Sequence, residues 1–483
     1  MADYKVKSTA SSKLREKLDF PVIDTDGHIM EAHFVLPDFI KKVGGAKMAE
    51  RFADFAALPR FADNPKIVPW PQFSGENTID RAAIMLPKLY AKRLEEAGVD
   101  FSTLYPTLGF GIQTLPDDEL RRVGCRAMNM MYADMFSGVK DKMTPAALIP
   151  MNTPQEAMEE LEFAVKELGM RALMTANEVS RTPKVVMAEA PHLKDKVREY
   201  SPLAIDSPYD YDPFWAKCLE YKVVPAGHSM PFVGTHQSPV NYIYNRLGFW
   251  MTYGHAAARA LFMSGTTQKF PGLNFAFLEG GVWWGVALYN DLVEFWEKRN
   301  MEAMLRYHDP AKIDLGLMEE MYKRYGNEYL TPERMLEATR KEMANARTPS
   351  GDIPPHVNDW TTVNINKKQD IKEAFVDCFY FGCEADDSLN YTAFNAKANK
   401  MGAKLKAMFS SDLGHWDVKD WGGVLEEAYE QVERGLMSEE DFHDFVFVNP
   451  MTLQTRVNPD FFKGTCVEGA VASYQAKQVR AAA

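Results

Sequence analysis

Short apolar runs alternate along the chain with longer amphipathic stretches. Eight runs have strand character: 22–28 (VIDTDGH), 101–107 (FSTLYPT), 144–150 (TPAALIP), 170–176 (MRALMTA), 223–229 (VVPAGHS), 273–279 (LNFAFLE), 374–382 (AFVDCFYFG) and 406–412 (KAMFSSD). Each is too short for a typical helix and is rich in aliphatic, β-branched or aromatic residues. The intervening stretches carry helical periodicity and start signals. Residues 153–168 (TPQEAMEELEFAVKEL) open on Thr153 as an N-cap with Pro154 next, and 212–221 (DPFWAKCLEY) open on Asp-Pro. Strand and helix alternating eight times predict an α/β fold, a (β/α)8 TIM barrel.

An ordinary barrel of this kind needs about 250 residues. The chain has 483, so long insertions are expected. They fall at about 29–100, 177–211 and 300–372; the last holds two helical patterns, GLMEEMYKRYGNEYL and PERMLEATRKEMANA. All three follow strands, which places them at the C-terminal face, where they would roof a pocket or build a subunit interface. The expected layout is an N-terminal arm at 1–20, the barrel at 21–435 and a C-terminal helical extension at 436–483.

Several strands end on polar residues. If 22–28 is extended, Asp24, Asp26 and His28 share one face. Ionisable groups on a buried face are costly unless paired, and a divalent cation can pair with all of them. Other strand ends supply His228 in PAGHS, Glu279 in FAFLEGG and Asp412 in SSDLGHWD, with His415 just beyond. In a closed barrel these ends meet at one mouth. A lone His28 is more often a hydrogen-bonded histidine than a ligand. Four donors at the ends of strands one, five and eight favour a metal held by Asp26, His28, His228 and Asp412. Imidazole and carboxylate together suit zinc first, with iron or manganese also compatible.

The neighbouring residues carry alternatives. Asp412, Glu279 and His415 are candidate proton carriers. Glu279 equally suits a metal ligand or an ion pair, and His415 a capping role. Glu31, Glu279, His415 and Asp24 could support a second ion, or orient the first set of ligands. Arg246 is a candidate substrate-binding carboxylate clamp, against a surface salt bridge. In CEADD (383–387) the carboxylates face the mouth or cap a helix, and Met128, Met130 and Met131 read as helix core. Trp250, Trp283, Trp284 and Trp296 supply apolar surface that predicts a homo-oligomer, or a hetero-oligomer with a homologous chain.

Charge and cysteines narrow the setting. A net charge of −12 argues against nucleic acid and anionic membranes as partners. Five cysteines without CxxC spacing argue against a disulfide framework. The opening MADYKVKSTASSKLREKLDF has no apolar core of a signal peptide, and no window reaches the length of a membrane span. A cytoplasmic protein acting on a small molecule is expected.

DTDGHIME, PAGHS, FAFLEGGVWW and SSDLGHWDV, in that order, resemble the amidohydrolase-related family, the branch of the amidohydrolase superfamily that contains aminocarboxymuconate-semialdehyde decarboxylase. EEAGVDFSTLYPT, TPAALIPMNTPQEAMEEL and FYFGCEADD agree, and the resemblance runs from about 20 to about 430. It implies a (β/α)8 barrel with one divalent metal. The family's strand-one pair falls on Asp26 and His28, its strand-five histidine on His228 and its strand-eight aspartate on Asp412. It also implies hydrolysis, or non-oxidative decarboxylation, of a small carboxylic acid. The chain departs at Glu279, where the decarboxylase-like members carry histidine. Some long members are similar to dinuclear iron or iron–manganese oxygenases, so a monooxygenase component is one alternative, and a metal-holding non-catalytic subunit another. The stretch NYIYNRLGFW, where further ligands would be expected for two ions, offers no histidine.

Overall fold

The computed structural model describes residues 4–56, 73–194, 196–229, 238 and 240–482. The chain divides into two compact units, one of residues 1–288 with 372–483 and one of residues 289–371.

The first unit is built on eight parallel strands: β1 (Ile23–Ile29), β2 (Phe101–Pro106), β3 (Met143–Leu148), β4 (Ala172–Ala176), β7 (Pro225–Ser229), β8 (Phe275–Phe277), β9 (Phe379–Cys383) and β10 (Lys406–Phe409), paired in that order. Bonds from β1 to the segment after β10 close the ring. Thr25 Oγ1 donates to Phe409 O (2.9 Å), Asp412 N to Asp26 O (2.8 Å) and His28 N to Leu413 O (2.7 Å). All eight expected strands are present, and helices follow them. One is Pro154–Lys166, where Thr153 and Glu156 form a reciprocal capping box. The fold is a (β/α)8 barrel. Its interior is apolar: Phe101, Leu104, Leu148, Leu173, Phe275, Phe379 and Phe409 are all buried, which at about 1.5–3 kcal/mol each is the main driving force.

Strand boundaries differ from the sequence reading, most in the last three strands. The seventh strand begins at Phe379, because 374–376 finish the helix Lys368–Val376. The sixth is only Phe275–Phe277 and the eighth only Lys406–Phe409, because Glu279 and Asp412 leave the extended region. The insertion at 177–211 contains an antiparallel hairpin, β5 (Glu178–Arg181) with β6 (Glu199–Pro202), that the pattern did not reveal. Its strands of four residues are too short for period-two alternation to show.

The C-terminal extension packs against the strand starts. Asn274 Nδ2 donates to Leu453 O (2.7 Å), Asn449 Nδ2 to Ala407 O (2.9 Å) and Arg171 Nη1 to Phe461 O (2.6 Å). The N-terminal arm ties into the same unit through Ser11 N to Gly422 O (2.9 Å). Arm and extension are therefore parts of the barrel unit. The second unit contains the two expected helices, Leu315–Tyr325 and Pro332–Asn345. No described helix is long and apolar enough to cross a membrane.

Candidate metal centre

Strict alternation does not hold in β1. Asp24 pairs with Ser102 but Gly27 pairs with Leu104, so β1 carries one extra residue between them. That irregularity separates Asp24 from its neighbours. Asp24 turns away from the donors described below and accepts from Ser102 Oγ (2.6 Å), Ser411 Oγ (2.8 Å), Ser411 N (2.8 Å) and Asp26 N (3.1 Å). Gly27 lets the chain pass at this point: a Cβ there would lie 2.7 Å from Leu104 Cδ2 and 2.9 Å from Ser102 Oγ. A second register shift lies at His228, between the pairs Thr175–Gly227 and Ala176–Ser229.

Asp26, His28 and His228 are buried and converge. The two Nε2 atoms are 3.1 Å apart, and each is 3.3 Å from Asp26 Oδ1. Asp412 Oδ1 is 3.2 Å from His28 Nε2. A tetrahedral ion with bonds of about 2.0–2.1 Å separates its donors by about 3.4 Å, so the triangle has the right size. Both oxygens of Asp26 and both of Asp412 are buried with no hydrogen-bond partner, although buried polar atoms are normally satisfied. The histidine nitrogens lie within ion-pairing distance of Asp26 Oδ1 and Asp412 Oδ1. The residues present fit a divalent cation.

Glu279, Asp412 and His415 form the adjoining wall and, with His28, a second group of converging donors. His415 Nδ1 is 2.6 Å from Asp412 Oδ1, its ring stacks on His28 at 3.5 Å, and its Nε2 is 3.3 Å from Thr107 Oγ1. Glu279 Oε1 is bonded to Arg246, whose Nη2 also reaches Asp417 Oδ2 at 3.4 Å. Glu279 Oε2 is buried with no hydrogen-bond partner. Glu279 and Asp412 both hold positive φ (59° and 51°), a conformation that costs non-glycine residues energy and recurs at functional sites.

The titration shifts follow from burial and crowding. Burial would raise Asp26, but His228 and His28 outweigh it and bring the carboxyl down to about 2. Burial lowers His28 despite Asp26, and drives His415 well below the usual histidine range. In His228 burial is outweighed by Asp26 and Glu279, which raise it. Burial lifts Glu279 to about 7, with Arg246 and His228 opposing. Burial and then Glu279, Glu384 and Asp417 raise Asp412 well above its ordinary value.

Glu31 is not among the converging donors. It is buried and accepts from Thr107 N (3.1 Å), Leu108 N (2.7 Å), Gly109 N (3.3 Å) and Tyr132 Oη (2.6 Å). It anchors the loop after β2, whose Thr107 meets His415. Arg246 is neither a free clamp nor a surface salt bridge, since it sits within an acidic group. The carboxylates of CEADD were expected to face the mouth, with capping the alternative for Asp386 or Asp387; burial and then the charges of Glu279, Asp387 and Asp417 raise Glu384 well above its ordinary value, with Arg246 opposing. Asp417 was overlooked, and its place five residues past Asp412 was the available signal. Phe110 (5.0 Å) and Trp250 (5.1 Å) line His228. Neither His236 nor His255 was weighed from the sequence. His236 lies outside the described residues, and His255 packs on Trp284 at 6.0 Å.

The amidohydrolase family model matches residues 23–329, more than half of the chain. The chain belongs to the amidohydrolase family. Among solved structures it is similar to an amidohydrolase from Mycobacterium avium subsp. paratuberculosis K-10, at 14% identity over 90% of this chain and 98% of that one, with a TM-score of 0.54. It is also similar to a dihydroxybenzoic acid decarboxylase from Polaromonas sp. JS666 with bound manganese (16% identity, 90% and 97% covered, TM-score 0.49). A third is 5-carboxyvanillate decarboxylase from Novosphingobium aromaticivorans DSM 12444, complexed with manganese (13% identity, 94% and 100% covered, TM-score 0.48). At 14% identity and a TM-score of 0.54, the likeness to the Mycobacterium avium protein shows the fold alone. No curated protein matches.

Proposed function

We propose that this amidohydrolase-family chain is a metal-dependent enzyme that hydrolyses a small-molecule substrate, with non-oxidative decarboxylation as the second reaction open to the same site. The observation that carries the reading is the triangle of Asp26, His28 and His228, closed by Asp412, with four carboxylate oxygens buried and unsatisfied. These four residues would hold one divalent ion. When bound, such an ion acidifies a water and polarises a carbonyl. The donor set tolerates zinc, manganese or iron.

The chain's own residues supply the rest. Asp412, at the strand end, accepts the proton of the attacking water and returns it to the leaving group. His415, neutral through burial, sets its Nδ1 2.6 Å from Asp412 Oδ1 and orients that carboxylate. Glu279, pushed up to about 7, is poised to hold a proton near neutral pH. Phe110 and Trp250 keep water from the histidine side of the site. Asp24 and Glu31 set the backbone that carries the ligands. The family resemblance implied a carboxylic-acid substrate, and Arg246, the candidate clamp for its carboxylate, is paired with Glu279 and Asp417. The oxygenase alternative draws no support from the comparisons. All five cysteines are free thiols, which suits a reducing cytoplasm.

Metal analysis tests the reading. His228→Ala and Asp412→Ala should each lose most bound metal by plasma mass spectrometry and melt at lower temperature, because binding is linked to folding. A full metal complement in purified His228→Ala would refute it.

A further inference from the structure

A cavity of about 320 Å³ opens at the strand starts, at the end of the barrel opposite the metal centre. Its walls come from the end of the helix Asp118–Met135, the start of β3, the residues just before β4 and the C-terminal extension. Phe136, Pro145 and Leu168 give it an apolar side, and Lys140, Arg171 and Lys463 bring three cations to it. None of these cations is in an ion pair among the described residues, although the chain as a whole carries a net charge of −12. One carboxylate stands at the edge, where Glu468 Oε2 accepts from Gly464 N (2.8 Å). Arg171 is the unusual member of the group. Arg93, Arg121 and Arg246 each meet two carboxylates. Arg171 is half-buried, yet it donates only to carbonyls, Phe461 O (2.6 Å) and Lys140 O (3.3 Å). Burial lowers its pKa, with no carboxylate opposing. Two of its five N–H donors are used by those bonds, and a charge drawn out of water is normally paired.

We propose that this cavity binds a small organic anion, with a carboxylate or phosphate head group against Arg171, Lys140 and Lys463 and an apolar body against Phe136, Pro145 and Leu168. A guanidinium with free N–H donors suits an oxyanion of either kind, and the two lysines add charge on flexible stems. The volume is that of a small-molecule pocket. The ligand is distinct from the substrate of the metal centre, because chemistry in this barrel belongs to the other ends of the strands. Its place is a junction instead. Arg171 already joins Phe461 of the C-terminal extension to Lys140 of the turn before β3, and an anion there would add Lys463 to the same contact. Occupancy should therefore stabilise the folded chain.

Calorimetric titration of the protein as purified with benzoate, phenyl phosphate, benzyl alcohol and benzylamine tests this. At least one of the two anions should bind about tenfold or more tighter than the neutral and cationic compounds. That binding should weaken with added salt and raise the melting temperature. The tighter of the two anions identifies the head group. Lys140→Gln combined with Lys463→Gln removes two exposed charges and should weaken the anion about fivefold or more. Arg171→Gln should weaken it about tenfold or more. Metal content should stay at the wild-type level in both variants, since neither change touches a proposed metal donor. Crystals grown with the 4-bromo derivative of the tighter anion should show the bromine, by its anomalous signal, beside Phe136, Pro145 and Leu168. Bromine found only at the metal centre would overturn the proposal. So would anion affinities unchanged in both variants, or no binding of either anion to the wild type.

Discussion

Removing the Asp24 carboxylate should both loosen the barrel and weaken metal binding. Asp24 is fully buried, and it gathers four donors from three stretches of chain: Ser102 of β2, Ser411 beyond β10 and the amide of Asp26 within β1. In Asp24→Ala the two hydroxyls can rotate toward other acceptors. The amides of Asp26 and Ser411 cannot, being fixed by the strand and by the turn into Asp412. Leaving a buried donor unpaired costs about 1–3 kcal/mol, so two fixed amides give about 2–6 kcal/mol, a large part of a typical total of about 5–15 kcal/mol. These amides belong to or adjoin the proposed ligands Asp26 and Asp412. Loss of such support typically lowers metal affinity about 10–100-fold.

Urea unfolding of chelator-stripped protein isolates the first effect, since without metal the stability difference contains no binding term. Competition with a chromophoric chelator measures the second. Asp24→Asn is the control. Its carbonyl can keep both amides while its NH2 faces Ser102 and Ser411, whose hydroxyls can accept, so it should recover most of the stability. An Asp24→Ala protein within about 1 kcal/mol of wild type and with unchanged metal affinity would refute the reasoning.

Glu160 gives a pH prediction away from the site. Burial raises it to about 7, against hydrogen bonds from Asn129 and Arg126. The folded state therefore holds the proton more tightly than the unfolded one, so this contribution is complete below about pH 4.5 and is lost as pH rises to about 7, by up to about 3 kcal/mol. Glu160→Gln should match wild type near pH 4.5 and exceed it at pH 8, and parallel stability curves in denaturant would contradict this. Gly227→Ala should destabilise by about 1–3 kcal/mol and reduce bound metal through its neighbour His228, because the new Cβ would lie 2.1 Å from Asn177 Oδ1. Adding Asn177→Ala should restore both, and additive effects in the double variant would rule out the clash. We also expect an oligomer, now from less surface than the sequence suggested: Trp250 and Trp284 are buried and Trp283 is 43% exposed. Light scattering at micromolar concentration should give a multiple of 54.8 kDa, and a single-chain mass would refute it.

The barrel was legible because its signal is repeated. Eight apolar runs, each ambiguous alone, constrain one another through alternation, and a boundary error of a few residues at β9 or β10 leaves the architecture intact. The cluster of Asp26, His28, His228 and Asp412 was legible for the same reason, since strand ends of a closed barrel have one place to meet. What stayed hidden depended on departures from regularity. Period-two alternation put Asp24 beside Asp26 and His28, and a single extra residue in β1 sends it to Ser102 and Ser411 instead. The β5–β6 hairpin was too short to announce itself. Arg246 could be read as a clamp only while its partners were unknown. Its engagement by Glu279 and Asp417 depends on a helix (Tyr242–Arg246), a strand end and a turn whose mutual approach no local pattern encodes. That approach decides whether Arg246 is open to an anionic group, and here Glu279 and Asp417 already engage it.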